Sequence, residues 1–408
     1  RRDLAGAERW VRHAEVEYAR LEPTPLLTAR LANAHAGLYM FSNELERAVA
    51  EFRTAATACP LVDCASGVSI TMNLAAVLWR MGEADEAERL RRAALGELER
   101  RFGTDSPASI QARLDLVHSL TQSGRIDEAD THLVQAEALV DRWTEPTHRY
   151  RVLAADQRAE ILIARGDPGG AVELLERSFA IVDKTFPPDD LRRVSRLNDL
   201  AFAYLVSGRG DEALTTIARA RDLTERVDSS SFEHGALMVS SGYIKGELGD
   251  YEGALADLHE ARRVIEPLLT AQHPIMRQCD TNEARVLVLA GRQAEALPIW
   301  EAAVKASEGA KPGDRAAVDS RIALAECLVD LERNDRALEV LDGLTGQPFE
   351  FSAHPWIIDF VRARATVARD REGALALARA ARSALRRYPT VDASVIDTWL
   401  AANGGAER

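Results

Sequence analysis

Apolar residues recur at helical spacing along the chain, and the pattern is clearest in residues 197–220. Apolar side chains return every three or four residues, Gly208 interrupts the run, and the pattern then resumes. The apolar positions are Leu197, Leu200, Ala201, Tyr204, Leu205, Ala213, Ile217 and Ala220. This segment is therefore predicted to form a helix, a tight turn and a second helix.

Variants of this unit recur along the chain, with their turn residues 37 to 42 residues apart. The predicted turn residues are Asn43, Gly82, Gly124, Gly166, Gly208, Gly249, Gly291, Glu332 and Arg369. Five residues after each turn stands an alanine, namely Ala48, Ala87, Ala129, Ala171, Ala213, Ala254, Ala296, Ala337 and Ala374. A period near 42 residues indicates a repeat architecture in which each unit packs on its neighbours.

The second predicted helix of each unit alternates small and large residues. Seven residues after the alanine, the residue is small in eight of nine units, and large residues such as Ile217 and Leu258 lie between. Arg91 and Ala378 are the exceptions at the large position. Small residues allow two helices to approach closely, so the pattern predicts the core of a helical hairpin.

The two ends of the chain differ from the repeats and suggest three segments. Residues 1–27 are predicted to be an N-terminal capping helix or the remnant of a preceding repeat, and residues 28–388 the repeat array. Residues 389–408 are predicted to be a closing helix, with apolar residues from Val391 to Leu400, and a tail that frays from Asn403. Because the first residue is Arg1 rather than Met, we expect the chain to be part of a longer one.

Charge and hydropathy argue against two classes of partner. The chain has 51 basic and 64 acidic residues, a formal net charge of −13, and no cluster of basic residues, so we expect no nucleic-acid binding. Its apolar runs are far shorter than the roughly 18 residues that a membrane-spanning helix needs. We therefore expect no membrane insertion by this segment and a cytoplasmic location, unless a segment outside this chain tethers the parent protein to a membrane.

The cysteines suggest neither a metal site nor a disulfide framework. Cys59 and Cys64 are the only close pair, and no second pair or histidine pair accompanies them, so a zinc site is not expected. We expect thiols in a reducing compartment, with a Cys59–Cys64 disulfide as the alternative.

The segment NDLAFAYLVSGRGDEALTTIARA, from Asn198 to Ala220, resembles the tetratricopeptide repeat. The usual repeat has about 34 residues. The longer period, with joints such as FGTDSP at Phe102 to Pro107, is similar to the kinesin-light-chain variety. The resemblance implies an all-α, right-handed α-solenoid of about nine helix-turn-helix repeats, and a scaffold that docks a protein or peptide in its concave groove.

The end of the chain, ALALARAARSALRRYPTVDASVIDTWLAANGG, resembles the C-terminal repeat regions of bacterial serine/threonine protein kinases. This resemblance implies a sensor or docking region, with ATP and Mg²⁺ bound only by a kinase domain upstream. The alternative is the repeat region of an ATPase-type transcription regulator or another signalling protein. The chain itself has no phosphate-binding loop and no HRD or DFG motif, and no other catalytic motif, so we predict no catalytic residues and no cofactor.

The inner groove of such a solenoid is lined by residues of the first helix of each unit, six positions before the turn. In the middle of this column, Phe202 and Tyr243 are neighbouring aromatics. We hypothesise that they form a peptide-docking patch, because rigid aromatics bordered by charge give anchoring and orientation together. The alternative is that both rings pack between helices. The candidate groove residues are Asn198, Phe202, Tyr243, Glu160, Arg285, His118 and Glu326.

Overall fold

The computed structural model of the chain describes residues 4–404 apart from 23, 43, 63, 65, 82, 146–147, 270–272, 310–313, 347–352 and 387–392. All regular elements among these residues are helices, so the predicted all-α repeat array is confirmed. The chain forms two compact units, residues 1–161 and 162–408.

The helices follow one another in antiparallel pairs. Up to residue 164 they are α1 (Leu4–Tyr18), α2 (Pro25–Phe41), α3 (Leu45–Ala58), α4 (Gly67–Arg80), α5 (Ala84–Phe102), a 3-10 turn (Pro107–Ser109), α6 (Ile110–Gln122), α7 (Ile126–Trp143) and α8 (Arg149–Ala164). The later helices are α9 (Pro168–Thr185), α10 (Arg192–Val206), α11 (Gly210–Asp228), α12 (Phe232–Glu247), α13 (Tyr251–Ile265), α14 (Pro274–Leu289), α15 (Gln293–Ala306), α16 (Arg315–Asp330), α17 (Asn334–Asp342), α18 (His354–Thr366), α19 (Arg371–Leu385) and α20 (Ser394–Gly404).

Most of the predicted turn residues that the structure describes adopt the left-handed backbone conformation that ends a helix, whereas Arg369 does not. Gly208 has φ 77°, and Gly124, Gly166, Gly249 and Gly291 have φ between 73° and 87°. Glycine adopts this conformation without strain because it has no Cβ atom. Glu332 takes the same place with φ 58°, although it is not glycine. Asn43 and Gly82, predicted to be turn residues as well, lie outside the described residues.

The predicted hairpin core is present in both units. Every alanine of the column that begins with Ala48 and ends with Ala374 is at most 2% exposed. Large partners such as Leu133, Ile217 and Leu258 are also buried. The exceptional Arg91 is buried too, and its guanidinium donates a hydrogen bond to the Ser119 hydroxyl. Burial of these apolar side chains is what holds each hairpin together.

The expectation of four unpaired thiols is wrong for the first two cysteines. Cys59 and Cys64 form a disulfide, with Cα atoms 5.2 Å apart, whereas Cys279 and Cys327 are buried free thiols. The pair meets because α3 ends at Ala58 and the chain turns back before α4. Arg101 supports this turn by donating a 2.7 Å hydrogen bond to the Leu61 carbonyl. Cysteine usage therefore no longer argues for a reducing compartment.

The ends of the chain are helical. The Tyr18 hydroxyl lies 3.0 Å from the Thr28 hydroxyl, which links α1 to α2. Asn403 was expected to fray but belongs to α20, where its amide donates to the Trp399 carbonyl and its own carbonyl accepts from Arg371. Val391 lies outside the described residues. None of the described helices has both the length and the apolar character needed to cross a membrane.

Candidate functional site

In the second unit, the first helices of four successive hairpins carry Phe202, Tyr243, Arg285 and Glu326 at the same register. Close packing behind these helices sets their positions. At Gly242, for example, an added Cβ would lie 2.5 Å from Cγ of Leu258 and 3.0 Å from the Ala254 carbonyl oxygen. Helices α12 and α13 therefore approach as closely as a residue without a side chain permits. Tyr243, the next residue, lies about 100° further around α12 from this contact.

Phe202 and Tyr243 lie beside one another on neighbouring first helices. Their ring centroids are 6.3 Å apart and the ring planes are tilted by 36°. Phe202 is 39% exposed and Tyr243 is partly buried. Burial and the neighbouring Glu247 carboxylate raise the pKa of Tyr243, so its hydroxyl stays protonated at neutral pH. Both rings thus contact each other while leaving apolar surface open to solvent.

Arg285 borders the aromatic pair on the side of the next hairpin. Its guanidinium carbon lies 5.9 Å from the centroid of the Tyr243 ring, within the range of a cation–π contact. Its Nε donates a 2.6 Å hydrogen bond to Oε1 of Glu247. The charge of Arg285 is therefore neutralised within the protein, although its side chain is 51% exposed.

Glu326 continues the column on α16 and is partly buried. Burial raises the pKa of its carboxyl group, and Arg364 and Arg285 oppose this shift. Asn198 lies one turn before Phe202 on α10, so both face the same side of the helix. Its Oδ1 atom is buried and accepts no hydrogen bond from the described residues. The second unit thus presents two aromatic rings and a carboxylate.

In the first unit, His118 and Glu160 occupy the same register on α6 and α8. Nδ1 of His118 lies 4.0 Å from Oε2 of Glu160. Burial, and secondarily the positive charge of Arg91, lower the pKa of His118, so its imidazole is neutral at pH 7. His118 also makes an edge contact with Trp79, with ring centroids 5.6 Å apart. In this unit the predicted residues mainly contact one another.

Several residues around these positions were missed by the sequence analysis. Trp79 lies on a first helix, three residues before its turn, and packs against both His118 and Arg91. Glu247 and Asp330 share a register two residues before the turn, and each binds an arginine of the following first helix. The same position in the other repeats has no acidic residue, so the repeat pattern gave no signal for these two carboxylates.

A further concavity lies outside this column of residues. A cavity of about 450 Å³ is lined by Phe102, Gly103, Thr104, Asp105, Ser106, Pro107 and Trp143. It lies at the joint between α5 and α6, away from the groove column, which is the set of first-helix residues six positions before each turn. Among the described residues there is no group of three or more His, Cys, Asp or Glu side chains placed to hold a metal ion.

Comparison with protein families gives two matches that together extend over most of the chain. A family model described as the MalT-like TPR region matches residues 1–261. A tetratricopeptide repeat model matches residues 278–302. Comparison with the curated proteins gave no match.

Several solved structures are similar in fold. A Rap protein in complex with Competence and Sporulation Factor is 14% identical, with a TM-score of 0.55, over 83% of this chain and 97% of that protein. A STAND signal-transduction ATPase with a tetratricopeptide sensor, from Pyrococcus horikoshii, is 14% identical with a TM-score of 0.54, over 91% of this chain and 54% of that one. Kinesin-light-chain-like repeats from Podosopora anserina are 21% identical with a TM-score of 0.41, over 49% of this chain and 94% of that one.

Proposed function

Because the chain belongs to the family of MalT-like tetratricopeptide repeat regions, we propose that it is a non-catalytic scaffold that binds a protein or peptide. The observation that carries this proposal is the Phe202–Tyr243 pair. Two aromatic rings in mutual contact, one of them 39% exposed, stand on the first helices of the second unit. Such rings bury a large apolar area on binding and dominate the free energy of many interfaces.

The residues around the pair suit an extended segment of polypeptide. Asn198 lies one helical turn from Phe202 on the same face of α10, so its partly buried amide side chain borders the aromatic pair. Arg285 already pairs with Glu247, so its side chain is held in one position beside the aromatic pair. Because hairpin packing holds all these side chains in place, little conformational entropy is lost when a partner docks.

We further propose that the chain is the sensor or docking region of a larger signalling protein. The likeness to the STAND ATPase, whose tetratricopeptide part is a sensor, supports an ATPase-type parent. The bacterial serine/threonine kinase parent rests mainly on the sequence of the last 35 or so residues and on the style of the repeat array. The Rap structure contains a bound factor, which supports ligand docking on this fold. A cytoplasmic location stays a prediction.

A pull-down from a lysate of the source cells tests the docking proposal. The baits are the unmodified chain, the double variant Phe202→Ala, Tyr243→Ala, and a matched control, Phe102→Ala, Trp143→Ala. The control removes two aromatic side chains at the joint between α5 and α6, which are 60% and 50% exposed. Circular dichroism first establishes that all three baits are folded.

We expect the unmodified chain and the control to retain the same partner, and the groove variant to lose it. If the groove variant retains the partner while the control loses it, the binding surface lies at the α5–α6 joint instead. If both variants retain it, the groove aromatics have no part in binding and the proposal is wrong.

A further inference from the structure

Glu326 differs from the other two charged residues of its column, Glu160 and Arg285, because it makes no hydrogen bond or ion pair with any described residue. The two arginines nearest to it are already engaged. Arg285 donates to Glu247 at 2.6 Å, and Arg364 pairs with Asp330 across α16 and α18. The local group therefore consists of two guanidiniums and three carboxylates, which leaves one negative charge uncompensated.

The surroundings of Glu326 make this charge unfavourable. The side chain is partly buried between its neighbours, and burial raises the pKa of the carboxyl group despite the two arginines. A carboxylate that has lost part of its hydration without gaining a counterion is destabilising, and a cation that reaches it restores the lost interaction. A single carboxylate offers too few oxygen ligands for Ca²⁺ or Mg²⁺, so a basic side chain is the better occupant.

Glu326 also stands in line with the aromatic pair. Successive first helices carry Phe202, Tyr243, Arg285 and Glu326 at one register, and Arg285 lies between the Tyr243 ring and α16 in the order of the helices. Neighbouring packed helices are about 10 Å apart, so Tyr243 and Glu326 are separated by roughly 20 Å. An extended peptide covers that distance in about six residues.

We propose that the partner of the groove is a peptide segment that combines an aromatic or large aliphatic side chain with a lysine or arginine about six residues away. The apolar side chain packs on Phe202 and Tyr243, and the basic side chain pairs with Glu326. This inference rests on the proposed function, since it specifies the chemistry of the same groove. We choose a peptide with a basic residue as the occupant because its positive charge complements the uncompensated carboxylate of Glu326.

A random dodecapeptide display library tests the inference. It is selected in parallel on the unmodified chain, on Glu326→Gln, on Phe202→Ala, Tyr243→Ala, and on the control Glu339→Gln. Glu339 is an exposed carboxylate on α17, so the control removes the same charge outside the groove column. Glutamine keeps the shape of Glu326 and removes only its charge.

We expect the unmodified chain and the Glu339→Gln control to enrich peptides with an aromatic and a basic residue at a fixed spacing. On Glu326→Gln the aromatic residue should remain enriched and the basic residue should not. For one selected peptide, replacing its basic residue with methionine should weaken binding to the unmodified chain about five- to tenfold, and binding to Glu326→Gln less than twofold.

Two other outcomes separate the inference from the proposed function. If the enriched peptides depend on Phe202 and Tyr243 but have the same content of basic residues on Glu326→Gln as on the unmodified chain, the inference is wrong and the docking proposal stands. If no peptides are enriched, or if enrichment does not change in the Phe202→Ala, Tyr243→Ala variant, the groove proposal fails and the inference fails with it.

Discussion

The two units use the same register of the first helices for different chemistry. In the first unit, His118 lies against Trp79 and 4.0 Å from Glu160, so the polar groups there have partners within the protein. In the second unit, Phe202 exposes part of its ring and Glu326 has no ion-pair partner among the described residues. The scaffold residues behind both columns are nevertheless the same buried alanines.

This difference teaches that the position of a side chain in its repeat does not decide whether the side chain can bind a partner. The alanine column determines where a side chain of the first helix lies, because it sets how closely the hairpin packs. Whether that side chain is available to a partner depends on its neighbours in adjacent repeats. In the second unit the neighbours leave apolar surface and one carboxylate unmatched. The following predictions test this separation.

The largest expected effect is on binding. With a peptide selected on the unmodified chain, Phe202→Ala, Tyr243→Ala should weaken binding by at least about 100-fold, since buried aromatic anchors contribute 2 kcal/mol or more each. Removal of the contacting ring pair in the first unit, by Trp79→Ala, His118→Ala, should change it by less than about threefold. Fluorescence anisotropy measures both affinities. Equal losses from the two double variants would mean that the units do not differ in function.

The next effect tests whether the scaffold is equivalent in both units. Ala129→Leu and Ala213→Leu insert a large side chain where the residue is fully buried, and each should lower the free energy of unfolding by about 1–3 kcal/mol. Ala138→Leu and Ala218→Leu, at exposed positions of the same helices, should change it by less than about 0.5 kcal/mol. Urea unfolding followed by circular dichroism gives these values. If the free energy of unfolding falls for only one of the two buried alanines, the alanine column is not a core that both units share.

A smaller effect concerns the turns. Glu332 has φ 58°, a conformation that glycine adopts at the equivalent Gly124 and Gly208. Glu332→Gly should raise the free energy of unfolding by about 0.5–1 kcal/mol, because relief of backbone strain exceeds the added chain entropy of the unfolded state. Gly208→Ala should lower it by about 1 kcal/mol for the converse reason. Thermal unfolding of both variants measures the two shifts, and a destabilised Glu332→Gly variant would contradict the expectation.

The smallest effect is the dependence of stability on pH, which should have opposite signs in the two units. Burial lowers the pKa of His118 below its ordinary 6.5, so the unfolded chain takes up a proton first and stability falls as the pH drops below 6.5. Burial raises the pKa of Glu326 above its ordinary 4.5, so the folded chain takes up a proton first and stability falls as the pH rises above 4.5.

Comparison of urea unfolding at pH 7 and pH 5 separates the two groups. His118→Gln should lose less stability than the unmodified chain on acidification, and Glu326→Gln should lose more, each by less than about 1 kcal/mol because both side chains are partly exposed. Glu326→Gln should also be slightly more stable than the unmodified chain at pH 7. Identical pH profiles for all three proteins would mean that burial does not perturb either group.

Much of the fold could be predicted because its determinants repeat. Nine alanines at one register and a glycine at most turns are local requirements, and a period near 42 residues makes each visible several times. The cysteine pair had no such support. Whether Cys59 meets Cys64 depends on how the chain turns between α3 and α4, and a single short joint contains no periodicity from which to infer this.

The candidate site could be predicted only as a column of residues. The sequence by itself determined that Phe202, Tyr243, Arg285 and Glu326 share a register, because helical periodicity and the repeat length assign every residue to a face. Only the tertiary structure decided that Arg285 pairs with Glu247 and Arg364 with Asp330, which leaves Glu326 without a counterion. These pairs join residues of different repeats. Their formation depends on side-chain distances across packed helices, which the spacing of residues along one chain does not specify.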